Sequence, residues 1–352
     1  MAGFASGSLH SGGGDGSRAD RCPEISAISF NIQSGKQSGR ILDIHNELRK
    51  YPILCLQGTR EKQDPHLPMH FSRVGGYMRY THGYGPKSNK HAGVSISISA
   101  KRFKLRHVVS VAWPHDPSLF GRGLVVRIKT KTLDIAVLSV YVPPQLPNGD
   151  ASPIAFKLYK WLFSVLSKLP CRTIPILCGD FNGKGGAISG TNHIHDSSQF
   201  VFGPFQPDFM DANGLLMFQL FRRFNLVATN TYRHNDPTFY SGTSDSQTRI
   251  DFIGYPRGLW EAKQARPAEV LSRAGARLQL SSAARPIDHR PVALWFRART
   301  LFYDANDRIS WNSDLLVDAL LRGSKRSDFL HDVLEATADS TERWDQLVLA
   351  NS

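Results

Sequence analysis

Short apolar runs that stop on a polar side chain limit this chain's possible folds more than any other feature. Ser29-Phe30-Asn31 closes the run that starts near Ile25, and Val140-Tyr141 comes at the end of Leu133–Val142. Gly179-Asp180-Phe181-Asn182 follows Thr173–Cys178, Arg249-Ile250-Asp251 lies in a late run, and Asp288-His289 stands just before Pro291–Phe296. Apolar runs of this length, bounded by turn residues, read as strands buried on both faces. Where such strands end, loops can aim polar groups at one common point, and ligands bind at that edge of an α/β sheet.

The remaining pattern fills in an architecture. Ile41, Ile44 and Leu48 give Gly39–Lys50 a helical period, Pro52 stops it, and Ile53–Leu56 is a short buried strand. Ala92–Ser99, His107–Trp113, Leu124–Thr130 and Leu133–Val142 are strands, the last two facing each other as a hairpin. Ile154–Leu169 is an amphipathic helix with Phe156, Tyr159, Leu162, Phe163 and Leu166 on one stripe, and Leu215–Phe224 is a second. Leu226–Thr231, Pro237–Ser241, Arg249–Gly254 and Pro291–Phe296 complete the strands. Hairpins with interspersed helices predict an α/β fold, a two-sheet sandwich with helices packed outside. Residues 1–22, with Gly12-Gly13-Gly14, read as a flexible tail, 23–297 as one domain, and 298–352 as a helical appendage or linker carrying Asp314–Leu321 and Phe329–Ala336.

Composition narrows the function classes. Of 352 residues 41% are hydrophobic and 10% aromatic, enough for a real core, which excludes global disorder. No apolar run approaches the ~18 residues of a membrane span, and the Gly/Ser-rich start lacks a basic and an apolar region. The expectation is a soluble, intracellular protein without a membrane partner. Lys+Arg 43 against Asp+Glu 30 leaves a net charge of +13, which favours a polyanionic partner. Cys22, Cys55, Cys171 and Cys178 have no CxxC spacing, and Cys55 and Cys178 lie in strand-like runs, so buried or free thiols are expected.

Taken singly, each polar run-end has a plain alternative. Asn31 suits an Asx turn, Tyr141 a half-buried core aromatic, Asp251 an exposed strand position, and Asp288-His289 an ordinary loop pair. Gly-Asp-Phe-Asn is harder to explain away, and the joint order is more telling still. Ser29-Phe30-Asn31, Leu56-Gln57, Ser139-Val140-Tyr141, Gly179-Asp180-Phe181-Asn182, Arg249-Ile250-Asp251-Phe252-Ile253 and Asp288-His289-Arg290-Pro291-Val292 together resemble the endonuclease/exonuclease/phosphatase superfamily over residues 25–297. Within it, Thr229-Asn230-Thr231, Pro237-Thr238-Phe239 and Thr248-Arg249-Ile250-Asp251-Phe252-Ile253 look like the endonuclease domain of non-LTR (LINE-like) retrotransposons.

The resemblance implies a Mg²⁺-dependent phosphodiesterase, with Mn²⁺ as the substitute ion, acting on DNA and needing no small-molecule cofactor. Asp180 would orient or deprotonate the attacking water, and Asn182 and Asn31 would bond phosphate oxygens. Tyr141 would donate its hydroxyl to the phosphate, His289 would contact it, and Asp251 would fix the His289 tautomer. Thr238, Asn31 and Arg290 would bind substrate, and Asp288, Asn31 and Glu61 would hold the ion. A nuclear address follows from the resemblance alone, and the oligomeric state is not legible. Tyr-x-Asp-Asp is missing from these residues, so polymerase activity is not expected of them.

Basic loop residues (Arg79, Lys87, Lys90, Arg122, Arg233, Arg285, Arg290) with aromatic neighbours would add sequence-independent phosphate contacts. One departure matters for chemistry. The superfamily's metal-binding glutamate follows Leu-Gln, where this chain has Leu56-Gln57-Gly58-Thr59. Glu61 would have to take over from ~10 Å further along an extended chain. Ile287 also replaces a serine. Two rival readings therefore stand beside the DNA-nicking enzyme: a catalytically silent DNA-binding module of the same fold, and a repair-type abasic endonuclease or other phosphoesterase.

Overall fold

Strand Glu24–Asn31 (β1) is buried at every position after the first, because its neighbours cover both its faces. In the computed structural model, helix α1 (Arg40–Glu47) and strands β2 (Ile53–Gln57), β3 (His70–Val74), β4 (Tyr77–His82) and β5 (Val94–Ser99) follow it. Next come β6 (Val108–Ala112), β7 (Gly123–Lys129), β8 (Asp134–Tyr141), α2 (Pro153–Ser167), β9 (Ile174–Asp180), α3 (Ser198–Val201) and α4 (Ala212–Arg223). The chain continues through β10 (Leu226–Ala228), β11 (Phe239–Tyr240), β12 (Gln247–Thr248) and β13 (Asp251–Pro256). It then runs through α5 (Arg257–Glu261), β14 (Glu269–Val270), α6 (Ser272–Arg277) and β15 (Val292–Arg297). The structure describes residues 24–64, 67, 69–186, 198–205, 209–241, 246–278 and 288–297. The expected tail, the expected appendage, Cys22, Arg285 and Ile287 lie outside the described residues.

Two mixed sheets form, one ordered β14-β15-β1-β2-β5-β4-β3 and the other β10-β13-β9-β8-β7-β6. Alternation along the central strands explains why they stack. Ile53 and Cys55 of β2, Ile135 and Val137 of β8, and Ile176 and Cys178 of β9 meet in the layer between the sheets. Leu54 and Leu56 point the other way, onto Ile41, Ile44 and Leu48 of the α1 region. Ala136, Leu138 and Leu177 point outward onto Leu158, Leu162, Phe218 and Phe221 of α2 and α4. Strands covered on both faces have no room for polar alternation, and this chain accordingly writes them as apolar runs.

Local signals set the helix boundaries. Ser152 caps α2 by accepting from the Ala155 amide, with Pro153 at the first helical position, and Asp211 caps α4 by accepting from Gly214. Leu226–Thr231 is strand only to Ala228, and Thr229–Thr231 turns into a 3₁₀ segment. Strands β3, β4, β12 and β14 and helices α3, α5 and α6 are elements the apolar pattern did not announce.

Candidate active site

Strand register brings the polar run-ends together. Asn31 pairs with Gln57 across β1 and β2, while Asp180 is flanked by Tyr141 on β8 and Asp251 on β13. Gly179 permits this crowding, since a Cβ there would stand 2.8 Å from the Val140 carbonyl. Beyond Asp180, the fully buried Phe181 ring packs edge-on against Phe221 and Phe252 at 5.7 and 6.1 Å between centroids. That anchor fixes the turn on which Asn182 takes a left-handed φ of 43°.

A contiguous set of polar side chains crosses the mouth of the sandwich. Asn31 Nδ2 donates to Asp180 Oδ2 at 2.8 Å and lies 3.2 Å from His289 Nε2. His289 Nδ1–H donates to Asp251 Oδ2 at 2.9 Å, so Asp251 holds the imidazole in place. Asp180 Oδ2 and Asp288 Oδ1 stand 3.7 and 3.8 Å from His289 Nε2. Asn31 Oδ1 accepts from the Gln33 amide at 3.0 Å, and Asp180 Oδ1 accepts from the Asn182 amide at 2.9 Å. Asp180, Asp251, Asn31 and His289 are all buried.

Electrostatics follow from that burial. Desolvation pushes the Asp180 carboxyl up to about 7, with His289 opposing and Asp251 reinforcing the rise. Burial alone would depress the His289 imidazole, but the carboxylates of Asp251, Asp180 and Asp288 more than offset it and bring it to about 9. Tyr141 is pushed up to about 12 by burial and by Asp180, so its hydroxyl keeps its proton. Asp288 is also raised, chiefly by burial, and holds a φ of 89°, unusual for a side-chain-bearing residue. Its backbone exchanges two hydrogen bonds with Tyr240, which holds it there.

Three expected contacts fall elsewhere. Thr238 is fully buried and its Oγ1 accepts the Ile250 and Asp251 amides, both at 3.1 Å, so it anchors the start of β13 and does not face substrate. Arg290 pairs with Asp236 at 2.9 Å and lies over the Tyr240 ring at 4.2 Å. Glu61 forms a two-pronged ion pair with Arg79, at 3.0 and 2.6 Å, and so is withdrawn from the ion-binding role. Asn182 lies beside Asp180, but its amide nitrogen is committed to the Val142 carbonyl at 2.8 Å.

Further residues shape the pocket: Gln57 and Asn230 from the quoted motifs, Arg122 from the basic loop residues, and Asn213, which no motif contained. Gln57 Nε2 donates to Ser139 Oγ at 3.1 Å, tying β2 to β8 beneath the site. Asn213 Nδ2 donates to the Pro143 and Asn182 carbonyls, and Asn230 Nδ2 to the Asp251 carbonyl at 3.0 Å. Only its partners, far away in sequence, reveal Asn213. Arg122 is buried with its guanidinium 4.8 Å from the Tyr141 ring centre and within electrostatic reach of Asp180.

Whether a divalent ion fits can be tested from the donors. Asp180, Asp251 and His289 offer ligand atoms within 4.8 Å of one another, a possible acidic metal site. Those atoms are already engaged with one another and with Asn31. At the position that the resemblance implies, beside Asn31 and Asp288, the ring of donors is short of a carboxylate. Gly58 has none, Glu61 is paired with Arg79, and a Cβ on Gly58 would fall 2.3 Å from Asn31 Oδ1. Mg²⁺ is ordinarily held by one or two protein carboxylates with water and phosphate. Asp288 meets the lower end of that range, so the residues at that position would hold the ion with one carboxylate fewer than the resemblance implies.

Comparison with known proteins agrees with this fold. Solved structures that resemble the chain include the AP endonuclease LMAP from Leishmania major, at 14% identity and a TM-score of 0.53, covering 79% of this chain and 89% of that one. The Xenopus laevis APE2 catalytic domain matches at 16% identity and 0.54, covering 78% and 92%. The endonuclease domain of TRAS1, a telomere-specific non-LTR retrotransposon, matches at 16% and 0.49, covering 78% and 99%. No curated protein matches the sequence. At these identities the two structures with TM-scores of 0.53 and 0.54 speak to the fold, a two-sheet α/β sandwich of the AP-endonuclease kind. The family itself is settled by sequence, for its profile runs from residue 28 to residue 314: the chain belongs to the Endonuclease/Exonuclease/phosphatase family.

Proposed function

We propose that the chain is a phosphodiester hydrolase that nicks DNA in the manner of a retroelement endonuclease. The observation that carries this reading is the convergence of Asp180, Asn31, His289 and Asp251 at one edge of both sheets, with Asn31 Nδ2 on Asp180 at 2.8 Å, His289 Nδ1 on Asp251 at 2.9 Å and His289 Nε2 3.7 Å from Asp180. A water placed between Asp180 and the scissile phosphorus loses its proton to the Asp180 carboxylate as its oxygen attacks, the P–O bond on the opposite side breaks, and the departing alkoxide oxygen takes a proton from solvent water. His289, protonated on both nitrogens near neutrality, donates from Nε2 to a non-bridging phosphate oxygen as negative charge builds there. Asp251 balances the imidazolium, and the Tyr141 hydroxyl donates to the same phosphate. No step is routed through a metal ion. The net charge of +13 supports a polyanionic substrate, and the Thr229-Asn230-Thr231 and Thr248–Ile253 motifs support the retroelement comparison.

Relaxation of supercoiled plasmid tests the reading, with Mg²⁺, Mn²⁺ and EDTA arms and with Asp180→Asn and His289→Ala as controls. Nicked circles from wild type that both variants fail to make are expected. An abasic duplex beside an intact one checks the repair alternative, since strong preference for the abasic strand would overturn the retroelement assignment. Gly58 and the Glu61–Arg79 pair favour a second reading, a DNA-binding module of this fold without catalysis. DNA retention without nicking in every arm would establish it.

A further inference from the structure

The strand end that lacks a carboxylate delivers a cation instead. β2 runs through Gln57 into Gly58-Thr59-Arg60, and backbone bonds pin this turn: Gly35 N to Thr59 O at 2.7 Å, Thr59 N to Gly93 O at 3.0 Å, and Arg60 N to Ala92 O at 3.0 Å. Both Gly58 and Arg60 sit at positive φ, +62° and +55°. For arginine that conformation is unfavourable and persists only where the surroundings impose it. Such strain concentrates at binding sites.

Arg60 is partly buried, and its Nε is buried with no hydrogen-bond partner. Arg79, Arg127, Arg233, Arg257, Arg266, Arg277 and Arg290 each have a carboxylate within 4.0 Å, but among the described residues Arg60 has none. Its adjacent glutamate, Glu61, is taken by Arg79. Gly58, two residues earlier on the same turn, lies directly against Asn31 Oδ1, so the turn carries Arg60 to the edge of the pocket. Arg122, also without a carboxylate partner among the described residues, stacks on Tyr141 behind it. A partly desolvated guanidinium without a counter-ion calls for an anion, and its planar fork suits two phosphate oxygens at once.

We infer that Arg60, on the turn that follows β2 beside Asn31, grips the phosphate of a bound phosphodiester in place of a divalent cation, so that substrate binding here is metal-independent. The inference rests on the pocket being a phosphodiester site. A single positive charge stands where a divalent ion would carry two, so the pocket keeps affinity and gives up part of the stabilisation of the more highly charged transition state.

Binding, not turnover, is the test. Polarisation of a fluorescein-labelled DNA duplex is titrated with wild type, Arg60→Ala, Arg60→Lys, Arg60→Gly and the surface control Lys101→Ala, each in EDTA and in Mg²⁺. Calorimetry with inorganic phosphate runs in parallel. Arg60→Gly is the folding safeguard, because glycine accepts the positive φ while removing the charge. Wild-type DNA affinity is expected to change less than about twofold between EDTA and Mg²⁺. Arg60→Ala and Arg60→Gly should each weaken DNA binding by about tenfold in both buffers, the scale of one lost charged hydrogen-bond contact. Arg60→Lys should fall between, Lys101→Ala should match wild type, and the heat of phosphate binding should vanish without the guanidinium. DNA binding unchanged in Arg60→Gly, or tightened tenfold by Mg²⁺ in wild type, overturns the inference and leaves the nuclease reading standing. Arg60-dependent phosphate binding without DNA binding does the reverse, and silence from both probes refutes both.

Discussion

Replacing Gly58 by alanine tests the geometry of the altered strand end most directly. The residue sits at φ +62°, where a side chain costs ~1–2 kcal/mol. The new Cβ would stand 2.3 Å from Asn31 Oδ1, closer than such atoms ever approach, so Asn31 must turn away. Turning forfeits the bond from the Gln33 amide, worth ~1 kcal/mol, and the bond to the Asp180 carboxylate, worth ~1.5–3 kcal/mol if Asp180 is charged. Alanine returns a little through the stiffer unfolded chain, less than ~1 kcal/mol. Gly58→Ala is therefore expected to lose ~3–5 kcal/mol in guanidinium unfolding at unchanged m-value. By the same geometry Gly58→Glu, which restores the family's residue type, should not raise plasmid nicking, because its stem displaces Asn31. A Gly58→Ala protein within ~0.5 kcal/mol of wild type would refute the reasoning, and with it the claim that Asn31 closes this space.

Further outcomes are expected from the same network. Nicking should rise with pH as Asp180 loses its proton through about 7 and fall as His289 loses its own through about 9, giving a bell whose limbs belong to the coupled pair; a flat profile across that window would contradict the assignment. In Asp251→Asn, imidazole NMR should show His289 titrating ~1–3 units lower, since its nearest carboxylate is gone; no movement would mean Asp251 is not its charge partner. Asp180 keeps its proton to higher pH folded than unfolded, so the stability it lends is present at low pH and fades as pH rises through about 7. Asp180→Asn should then show a shallower stability loss between pH 5 and 8 in denaturant titrations. Glu61→Ala strands the Arg79 guanidinium and should cost ~2 kcal/mol while leaving the metal response of nicking unchanged; a changed metal response would return Glu61 to the ion.

Much of this arrangement was legible because double-faced burial leaves a plain trace. β1, β2, β8 and β9 are apolar runs, and the polar residue that ends each one stands out against them. β4 left no such trace. Tyr77-Met78-Arg79-Tyr80-Thr81-His82 is wholly buried yet half polar, because Arg79 finds Glu61 and the His82 imidazole finds the Gly123 carbonyl at 3.1 Å. Without β4, the partner of Glu61 was invisible, and the glutamate seemed free to serve an ion. Thr238 misled for a related reason, since its hydroxyl suits substrate as well as it suits two backbone amides, and only position decides. Arg60 follows Gly58-Thr59 with no periodicity to mark it. Its importance comes from the turn that carries it.

The 2.8 Å bond from Asn31 to Asp180 joins β1 of one sheet to β9 of the other, with Gln57 and Ser139 forming a second rivet just below. Two slabs held in alignment by their own reaction centre cannot slip past each other by even an ångström without opening it. Heating should therefore switch off turnover several degrees before the slabs themselves come apart.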